Sequence, residues 1–180
     1  PLQEAAAAHA SGKILACFDA DLSSTAGCDR LYATVQRLNL VPDVVINNAG
    51  MAVVGNQVEI PGDRWETMMQ VNLLAPMRLS SRFAADMVAR RQGHIVNISS
   101  LAGWIAPPGL TAYAASKYGL RGFSEGLRYE LAPYQVRVTA VYPFFSRTPL
   151  LSAPRFGALA KSDKTLPAAL TTDPQRIMAR

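Results

Sequence analysis

The sequence predicts an α/β fold, a single domain over residues 1–180 in which helices cover both faces of a parallel sheet. Short apolar runs, typical of strands buried on both faces, alternate along the chain with amphipathic helical patterns. The 180 residues are 49% hydrophobic and 17% charged, which suits one domain with a sizeable core. We therefore expect strand–helix–strand units.

The first such unit lies near the start of the chain. Lys13 to Asp19 (K-I-L-A-C-F-D) is predicted as a buried strand, and Asp43 to Asn47 (D-V-V-I-N) as a second. Between them we predict a helix over about Thr25 to Asn39, with Ser23 or Ser24 as its N-cap. Its inner face would carry Leu31, Val35 and Leu38.

A long helical pattern begins at Pro61-Gly62-Asp63 and contains Pro76. Proline has no N–H to bond the carbonyl four residues earlier, and its ring displaces that carbonyl. We therefore predict a kink that leaves the Asn72 carbonyl free as an acceptor.

The remaining elements follow in alternation, with one irregular segment near the end. Phe144 to Thr172 has a weaker pattern, with apolar residues among Pro and Gly, and is predicted as a substrate-binding loop or lid over 144–172. The predicted elements are strand His94 to Ser99, helix Thr111 to about Pro133, strand Val136 to Tyr142, a helix from Asp173-Pro174, and a helical turn from Glu4 to His9 ended by Gly12.

Composition excludes several classes of function. The net charge of +5 is dispersed, and no basic run is interleaved with aromatics, so nucleic-acid binding is not expected. Cys17 and Cys28 form no CxxC pair, which favours a reducing compartment, the cytoplasm. No apolar run approaches the roughly 20 residues that span a bilayer, and no signal peptide is visible. His9 and His94 lack partners at ligand spacing, so no metal site is predicted.

The stretch from Asn97 to Lys117 (N-I-S-S-L-A-G-W-I-A-P-P-G-L-T-A-Y-A-A-S-K) carries a candidate acid/base site. Tyr113 and Lys117 are four residues apart, so on a helix they share a face, where an ammonium influences a phenol. Each feature alone has an ordinary structural explanation. Tyr–Lys pairs are common on exposed helices, and Asn, Gly and Ser are turn and cap residues.

The order and spacing of these features together are specific. Asn47-Asn48-Ala49-Gly50 follows one strand, Asn72 lies at the predicted kink, and Ser100 ends the next strand, thirteen residues before Tyr113. From roughly Lys13 to Thr148 the chain resembles the short-chain dehydrogenase/reductase superfamily, which has a Rossmann-type fold and uses NAD or NADP. The resemblance implies a catalytic set of Ser100, Tyr113, Lys117 and Asn72.

The same resemblance implies the cofactor-binding residues. Asn48, Ala49 and Gly50 match the cofactor-facing turn, and Asp21-Leu22 matches the acidic contact to the adenine ring. Pro143 and Thr148 match the segment that holds the nicotinamide, and Tyr113 and Lys117 also face the cofactor. The strand whose end separates NAD from NADP is not in the sequence, so the preference is unreadable.

The implied chemistry explains the residue types. Lys117 and an oxidised nicotinamide are cations that lower the pKa of the Tyr113 phenol, which then serves as acid/base. The Ser100 hydroxyl anchors the substrate oxygen. Lys117 binds the cofactor ribose, and a water held at the Asn72 carbonyl completes a proton relay.

The sequence also departs from the family. The glycine-rich loop T-G-x-x-x-G-x-G is absent, and with strand order 3-2-1-4-5-6-7 the first two strands and the last are missing, so the chain is expected to be truncated at both ends. Lys13 to Asp19 would be strand three, and strand four would expose an unpaired edge that makes the isolated chain unstable or prone to aggregate. Phe144 stands where the family usually has glycine.

We therefore expect an NAD(P)-dependent oxidoreductase that interconverts a secondary alcohol and a ketone or aldehyde. An apolar substrate, such as a lipid-like or cyclic ketone, is suggested by Phe144, Phe145, Leu150, Leu151, Trp104 and Met51. One alternative is a non-catalytic fragment that acts only in assembly. The family's homodimers or homotetramers pair the helices matching Asn72 to Arg91 and Tyr113 to Ala132. A second alternative is epimerisation or dehydration of a nucleotide sugar, as in the superfamily's longer members.

Overall fold

The computed structural model describes residues 14–146, 148–161 and 171–173. The predicted turn at Glu4 to His9, Gly12, Lys13 and the helix beyond Asp173 lie outside these residues. The elements in chain order are α1 Thr25–Arg37, β1 Val44–Asn47, α2 Gly62–Met69, a π-helical segment Gln70–Leu74, α3 Ala75–Arg90, β2 Gly93–Ile98, α4 Thr111–Leu131 and β3 Val136–Val141. The α/β class is confirmed.

The three strands form one parallel sheet in the order β1-β2-β3. Val44 pairs with His94 and Gly93 pairs with Val136, and the register of neighbouring strands continues residue by residue without a bulge. Each crossover between them contains helices, as parallel strands require. The carboxyl ends of β1 and β2 consequently meet at one edge of the sheet, where Asn48 and Ser99 begin their loops.

Helices cover one face of the sheet in the described residues. Ile95 and Val138 point to that face and pack with Met87 of α3 and Leu127 of α4. The opposite face carries Val44, Ile46, Arg137 and Thr139, all of them exposed. The prediction of a buried strand at Asp43 to Asn47 is therefore wrong for one face of β1, where Ile46 is 59% exposed.

The predicted strand at Lys13 to Asp19 does not form over its described part, residues 14–19. Residues 14–19 are irregular and exposed, with Leu15 63% exposed. A strand needs a neighbour to bond its N–H and C=O groups. Among the described residues no strand lies on the outer side of β1.

The local predictions for α1 are mostly correct. Ser24 is the N-cap, and its Oγ accepts a hydrogen bond from the Gly27 N–H at 3.1 Å. Leu31 and Val35 pack toward Phe83 of α3. Leu38, predicted on the same inner face, is 44% exposed because the helix ends at Arg37.

A π-helical segment lies directly before Pro76, where the kink is predicted. The Ala75 N–H bonds the Gln70 carbonyl, five residues back, so one extra residue enters the helical turn just before the proline. Such π segments occur mostly as single turns inside α-helices. The helix is thus irregular at the predicted place, and both the kink and the free Asn72 carbonyl stay predictions.

Candidate active site

Tyr113 and Lys117 lie on one buried face of α4, as their spacing predicts. Tyr113 is 7% exposed and Lys117 is 5% exposed. The Lys117 Nζ lies 5.8 Å from the centroid of the Tyr113 ring and donates a hydrogen bond to the Ile98 carbonyl at 2.9 Å. The end of β2 thereby anchors the ammonium beside the phenol.

Burial changes the acid strength of both groups. Removing Lys117 from water disfavours its charged form and lowers its pKa from 10.5 to about 8. Burial also raises the pKa of the Tyr113 phenol, and a hydrogen bond with Ser100 acts more weakly in the opposite direction. The expectation of a lowered Tyr113 pKa is thus wrong for the chain by itself. Desolvation of the phenol has the largest effect on its pKa. The Lys117 ammonium donates a hydrogen bond to the Ile98 carbonyl.

The loop after β2 brings Ser100 to the phenol. Ser100 is extended, and its Oγ accepts from the Ala102 N–H at 3.1 Å, which caps a short helical turn over Leu101–Gly103. The neighbouring Ser99 donates through its hydroxyl to the Lys117 carbonyl at 3.0 Å. Two successive serines therefore fasten this loop, one to its own turn and one to α4.

Asn72 is completely buried in the π-helical segment. Its Oδ1 accepts from the Met51 N–H at 2.9 Å, and its Nδ2 donates to the Met51 carbonyl at 2.8 Å and to the Ser116 Oγ at 3.2 Å. The side chain joins the loop after β1 to α4.

The turn over Asn48, Ala49 and Gly50 lies against these residues. A Cβ added at Gly50 would lie 3.5 Å from the Asn72 Oδ1 and 3.8 Å from the Lys117 Nζ, so an alanine methyl would fill the space at this point. Asn48 and Ala49 line a cavity of about 160 Å³ together with Leu22. Leu22 and the Asn48-Ala49 pair, all predicted to bind the cofactor and 26 residues apart in sequence, therefore share one pocket wall.

Asp21 precedes Leu22 and is exposed. Its carboxylate accepts from the Ser23 N–H at 2.9 Å and from the Ser23 hydroxyl at 2.6 Å. These bonds to Ser23 lower the pKa of Asp21. Asp21 therefore carries its charge in solvent, one residue before Leu22, which lines the cavity.

Of the two residues predicted beyond β3, Pro143 is tied to the site and Thr148 is bonded locally. The Pro143 carbonyl accepts from the Leu101 N–H at 3.0 Å, which joins the end of β3 to the Ser100 loop. The Thr148 N–H donates to the Ser146 carbonyl at 2.8 Å, and its hydroxyl donates to the same oxygen at 3.5 Å. Phe144 is exposed and packs edge-to-face on Phe145.

Comparisons with known proteins identify the family of the chain. The family model described as short chain dehydrogenase matches residues 1–155. The chain belongs to the short-chain dehydrogenase family. The 3-ketodihydrosphingosine reductase of Bos taurus is 37% identical over 125 residues, which are 69% of this chain and 35% of that protein. This short-chain dehydrogenase chain spans less than half the length of the curated relatives it matches.

Solved structures show the same fold. A short-chain dehydrogenase from Sphingobium yanoikuyae in complex with NADPH has a TM-score of 0.75 and 32% identity, over 89% of this chain and 60% of that one. A 4-hydroxyisoleucine dehydrogenase complexed with NADH and succinate has a TM-score of 0.69 and 31% identity, over 72% of this chain and 62% of that one.

Four buried polar residues of this short-chain dehydrogenase connect its elements, and none of them was predicted as a site residue from the sequence. The Asn47 Nδ2 donates to the Ser80 Oγ at 3.0 Å and to the Asn97 Oδ1 at 2.7 Å, and the Asn97 Nδ2 donates to the Ser124 Oγ at 2.9 Å. This network runs from α3 through β1 and β2 to α4. Its signal in the sequence is an asparagine inside each of two apolar strands.

An apolar wall adjoins Tyr113, and part of the predicted 144–172 loop is fastened to it. We call residues 153–161 the strap. The Val54 N–H donates to the Pro154 carbonyl at 2.9 Å, and the Phe156 N–H donates to the Val54 carbonyl at 2.8 Å. Ala153 and Phe156 of the strap pack on the buried cluster that contains Val53 and Tyr113.

Glu59 fastens the strap from the other side. Its Oε1 accepts from the Ala158 N–H at 3.1 Å, and its Oε2 accepts from the Asn56 amide at 2.8 Å. Gly157 has φ +60°, and a Cβ there would overlap the Glu59 carboxylate. Only glycine fits this position without displacing Glu59.

Over the described ranges, no helix is long and apolar enough to cross a membrane. No group of three or more His, Cys, Asp or Glu side chains there is placed to hold a metal ion.

Proposed function

We propose that the protein containing this chain is an NAD(P)-dependent oxidoreductase that interconverts a secondary alcohol and a ketone or aldehyde, with Tyr113 as acid/base. The observation that carries the proposal is the convergence of the Tyr113 phenol, the Ser100 hydroxyl and the Lys117 ammonium at one edge of the sheet. These groups supply an acid, a donor to a carbonyl oxygen and a cation.

The residues present fit a nicotinamide cofactor. Gly50 has no Cβ where one would fill the space beside Asn72 and Lys117. Lys117 uses one of its three N–H donors on the Ile98 carbonyl, which leaves two to bind ribose hydroxyls. Structural neighbours of the family hold NADH or NADPH. We propose NAD or NADP, with Asp21, Leu22, Asn48, Ala49, Pro143 and Thr148 as further contacts.

The bound cofactor would supply or accept the hydride at the substrate carbon. In the reductive direction the Ser100 hydroxyl donates to the carbonyl oxygen and the Tyr113 phenol delivers the proton. The raised pKa of Tyr113 keeps the phenol protonated at neutral pH, ready to act as an acid. In the oxidative direction, positive charge brought near the phenol favours its ionised form. The Asn72 carbonyl would hold the relay water that returns protons to Lys117.

We propose that residues 144–172 contribute the substrate-binding loop and that the substrate is apolar. The wall beside Tyr113 consists of aliphatic and aromatic side chains, including those of Val53 and Phe156. The bovine relative is named for a reductase of 3-ketodihydrosphingosine, a ketone. A lipid-like or cyclic ketone suits these surroundings.

We further propose a cytoplasmic homodimer or homotetramer assembled through α3 and α4. Tyr129 on α4 is 65% exposed, and Cβ atoms at Gly122 and Gly126 would meet open space, which leaves room for a second helix. Cys17 and Cys28 are both free thiols, which agrees with a reducing compartment.

The test uses the full-length protein with NADH and NADPH, and cyclohexanone and a long-chain 2-alkanone as probe ketones. Tyr113→Phe should lower turnover by roughly 10²-fold or more and leave cofactor binding, followed by nicotinamide fluorescence, unchanged. Tyr134→Phe, an exposed tyrosine just beyond the same helix, is the control and should keep full turnover. Unchanged turnover in Tyr113→Phe would refute the proposal. Absence of cofactor binding would favour the non-catalytic alternative.

A further inference from the structure

Ser116 lies between the two predicted catalytic residues of α4 and is completely buried. Its hydroxyl donates to the Tyr113 carbonyl at 2.7 Å, and its oxygen accepts from the Asn72 Nδ2 at 3.2 Å. We propose that Ser116 is a positioning residue that holds Asn72 and the acid/base Tyr113 in one hydrogen-bonded unit. The inference rests on the proposed function.

Position 116 needs a hydroxyl because the side chain must both donate one hydrogen bond and accept another. Ser116 has one hydrogen, and it is used on the Tyr113 carbonyl, so toward Asn72 the oxygen can only accept. The NH₂ end of the Asn72 amide must therefore face Ser116. With the NH₂ end fixed, the Asn72 Oδ1 is the atom that meets the Met51 N–H. Ser116 thus reinforces the amide orientation that the Met51 N–H and carbonyl also require.

The resulting chain of bonds connects two parts of the site. It runs from the Tyr113 carbonyl through Ser116 and Asn72 to the backbone of Met51, the residue after the cofactor-facing turn at Gly50. Removing the hydroxyl leaves a buried N–H of Asn72 without the Ser116 acceptor. It also removes the side-chain hydrogen bond to the Tyr113 carbonyl in α4. The distance between the phenol and the cofactor-facing turn then loses one of its constraints, and misplaced reacting groups slow the chemical step.

The same helix offers a matched control. Ser124, eight residues further along α4, is also buried, donates to the Leu120 carbonyl at 2.6 Å and accepts from the Asn97 amide at 2.9 Å. Its bonding pattern is equivalent, but none of its partners is a predicted site residue. A purely structural serine should therefore behave like Ser124.

The test compares Ser116→Ala with Ser124→Ala in the full-length protein. Both substitutions should lower the free energy of unfolding, since each removes a buried acceptor. Ser116→Ala should also lower kcat for cyclohexanone reduction by about tenfold with little change in KM for the ketone, because the change affects positioning rather than substrate contacts. Ser124→Ala should keep kcat. Ser116→Thr, which retains the hydroxyl, should recover at least part of the lost rate.

A second readout needs no turnover. The phenolate absorbance of Tyr113, obtained by subtracting the titration of Tyr113→Phe, reports how tightly the phenol is held. In Ser116→Ala its midpoint should move down toward the ordinary value as the loosened turn admits water, and in Ser124→Ala it should stay. Equal kcat and equal midpoints in the two alanine variants would overturn the inference. Full turnover in Tyr113→Phe would instead sink the proposed function, and the titration would then decide alone whether Ser116 positions Tyr113.

Discussion

Asn72 binds the backbone of Met51 with both ends of its side-chain amide, accepting from the N–H at 2.9 Å and donating to the carbonyl at 2.8 Å. The two residues are 21 positions apart, so this pair closes the loop after β1 onto the π-helical segment. The Asn72 amide thus bonds the N–H and the C=O of one residue, as a facing residue does in a hydrogen-bonded pair of antiparallel strands. It holds Gly50 in place beside Lys117.

Replacing Asn72 by alanine should therefore weaken both stability and cofactor binding. Two polar groups of Met51 lose their partners, which costs about 1–3 kcal/mol of unfolding free energy for a buried donor or acceptor. The loosened turn should also raise the Kd for NADPH in the full-length protein. Urea unfolding and nicotinamide fluorescence measure the two effects.

Asn56→Ala is the control for that substitution. The Asn56 amide donates to Glu59 at the surface, so its loss should change stability by no more than about 0.5 kcal/mol. If Asn72→Ala were as mild as Asn56→Ala, the loop would be held by other contacts.

The depressed pKa of Lys117 predicts a pH dependence of stability. The folded group titrates at about 8 and the unfolded group at 10.5. Between these values the unfolded chain binds more protons than the folded chain. The contribution of Lys117 to the free energy of unfolding therefore rises with pH through this window and is smallest below it. Compared with Lys117→Met, the wild type should gain about 2 kcal/mol between about pH 7.5 and pH 9.5.

Reversible urea unfolding of both proteins across that range measures the difference, in which the other titrating groups cancel. Tyr113, whose pKa is raised, contributes with the opposite sign and only as the pH rises through about 10. Lys161→Met, at an exposed position, should follow the wild type. A difference that stays flat from pH 7.5 to 9.5 would mean that Lys117 is hydrated in solution.

Gly157→Ala should release the strap. The new methyl group would overlap the Glu59 carboxylate, and an alanine at φ +60° is strained. We expect faster hydrogen exchange at the Val54 and Phe156 amides, whose bonds join the strap to the loop after β1. The KM for a probe ketone should rise because Phe156 leaves the apolar wall.

Gly126→Ala is the matched control for the glycine substitution. Gly126 lies inside α4 with open space around it, so alanine should not slow or speed exchange at the strap. Exchange rates at Val54 that matched between the two variants would show that Glu59 does not hold the strap.

The exposed face of β1 predicts self-association of the 180-residue chain by itself. Val44 and Ile46 present apolar side chains next to an edge whose backbone groups have no strand partner in the described part of the chain. Ile46→Lys should reduce association, followed by sedimentation, and keep the helical circular dichroism. Val45→Lys, one residue away on the covered face, should abolish cooperative unfolding because it buries a charge against Phe83 and Val35. A monomeric wild-type chain would contradict the prediction.

Local features were predictable from the sequence because their causes lie within a few residues. Spacing and backbone chemistry account for the Ser24 cap, the helical irregularity before Pro76, the bounds of α4 and the shared face of Tyr113 and Lys117. The parallel order of β1, β2 and β3 follows from the alternation of elements. The site residues around Ser100 were identified by their order in the chain, which a family resemblance made interpretable.

Other features depend on partners far away in the sequence, and only the tertiary structure decided them. Residues 14–19 have the composition of a strand but no ladder partner among the described residues, so apolar composition alone did not make a strand there. The pKa of Tyr113 rises because other segments remove the phenol from water, a cost that spacing on one helix does not reveal.

The connections of Asn72 show the same division most clearly. Its place before Pro76 can be deduced from the sequence, because the proline dictates the local backbone. Its bonds to Met51 and Ser116 span 21 and 44 residues and exist only once the loop after β1 and α4 have packed on the π-helical segment. The sequence by itself determined which residues could do chemistry, and long-range packing decided which of them meet, how deeply they are buried and how strongly they hold their protons.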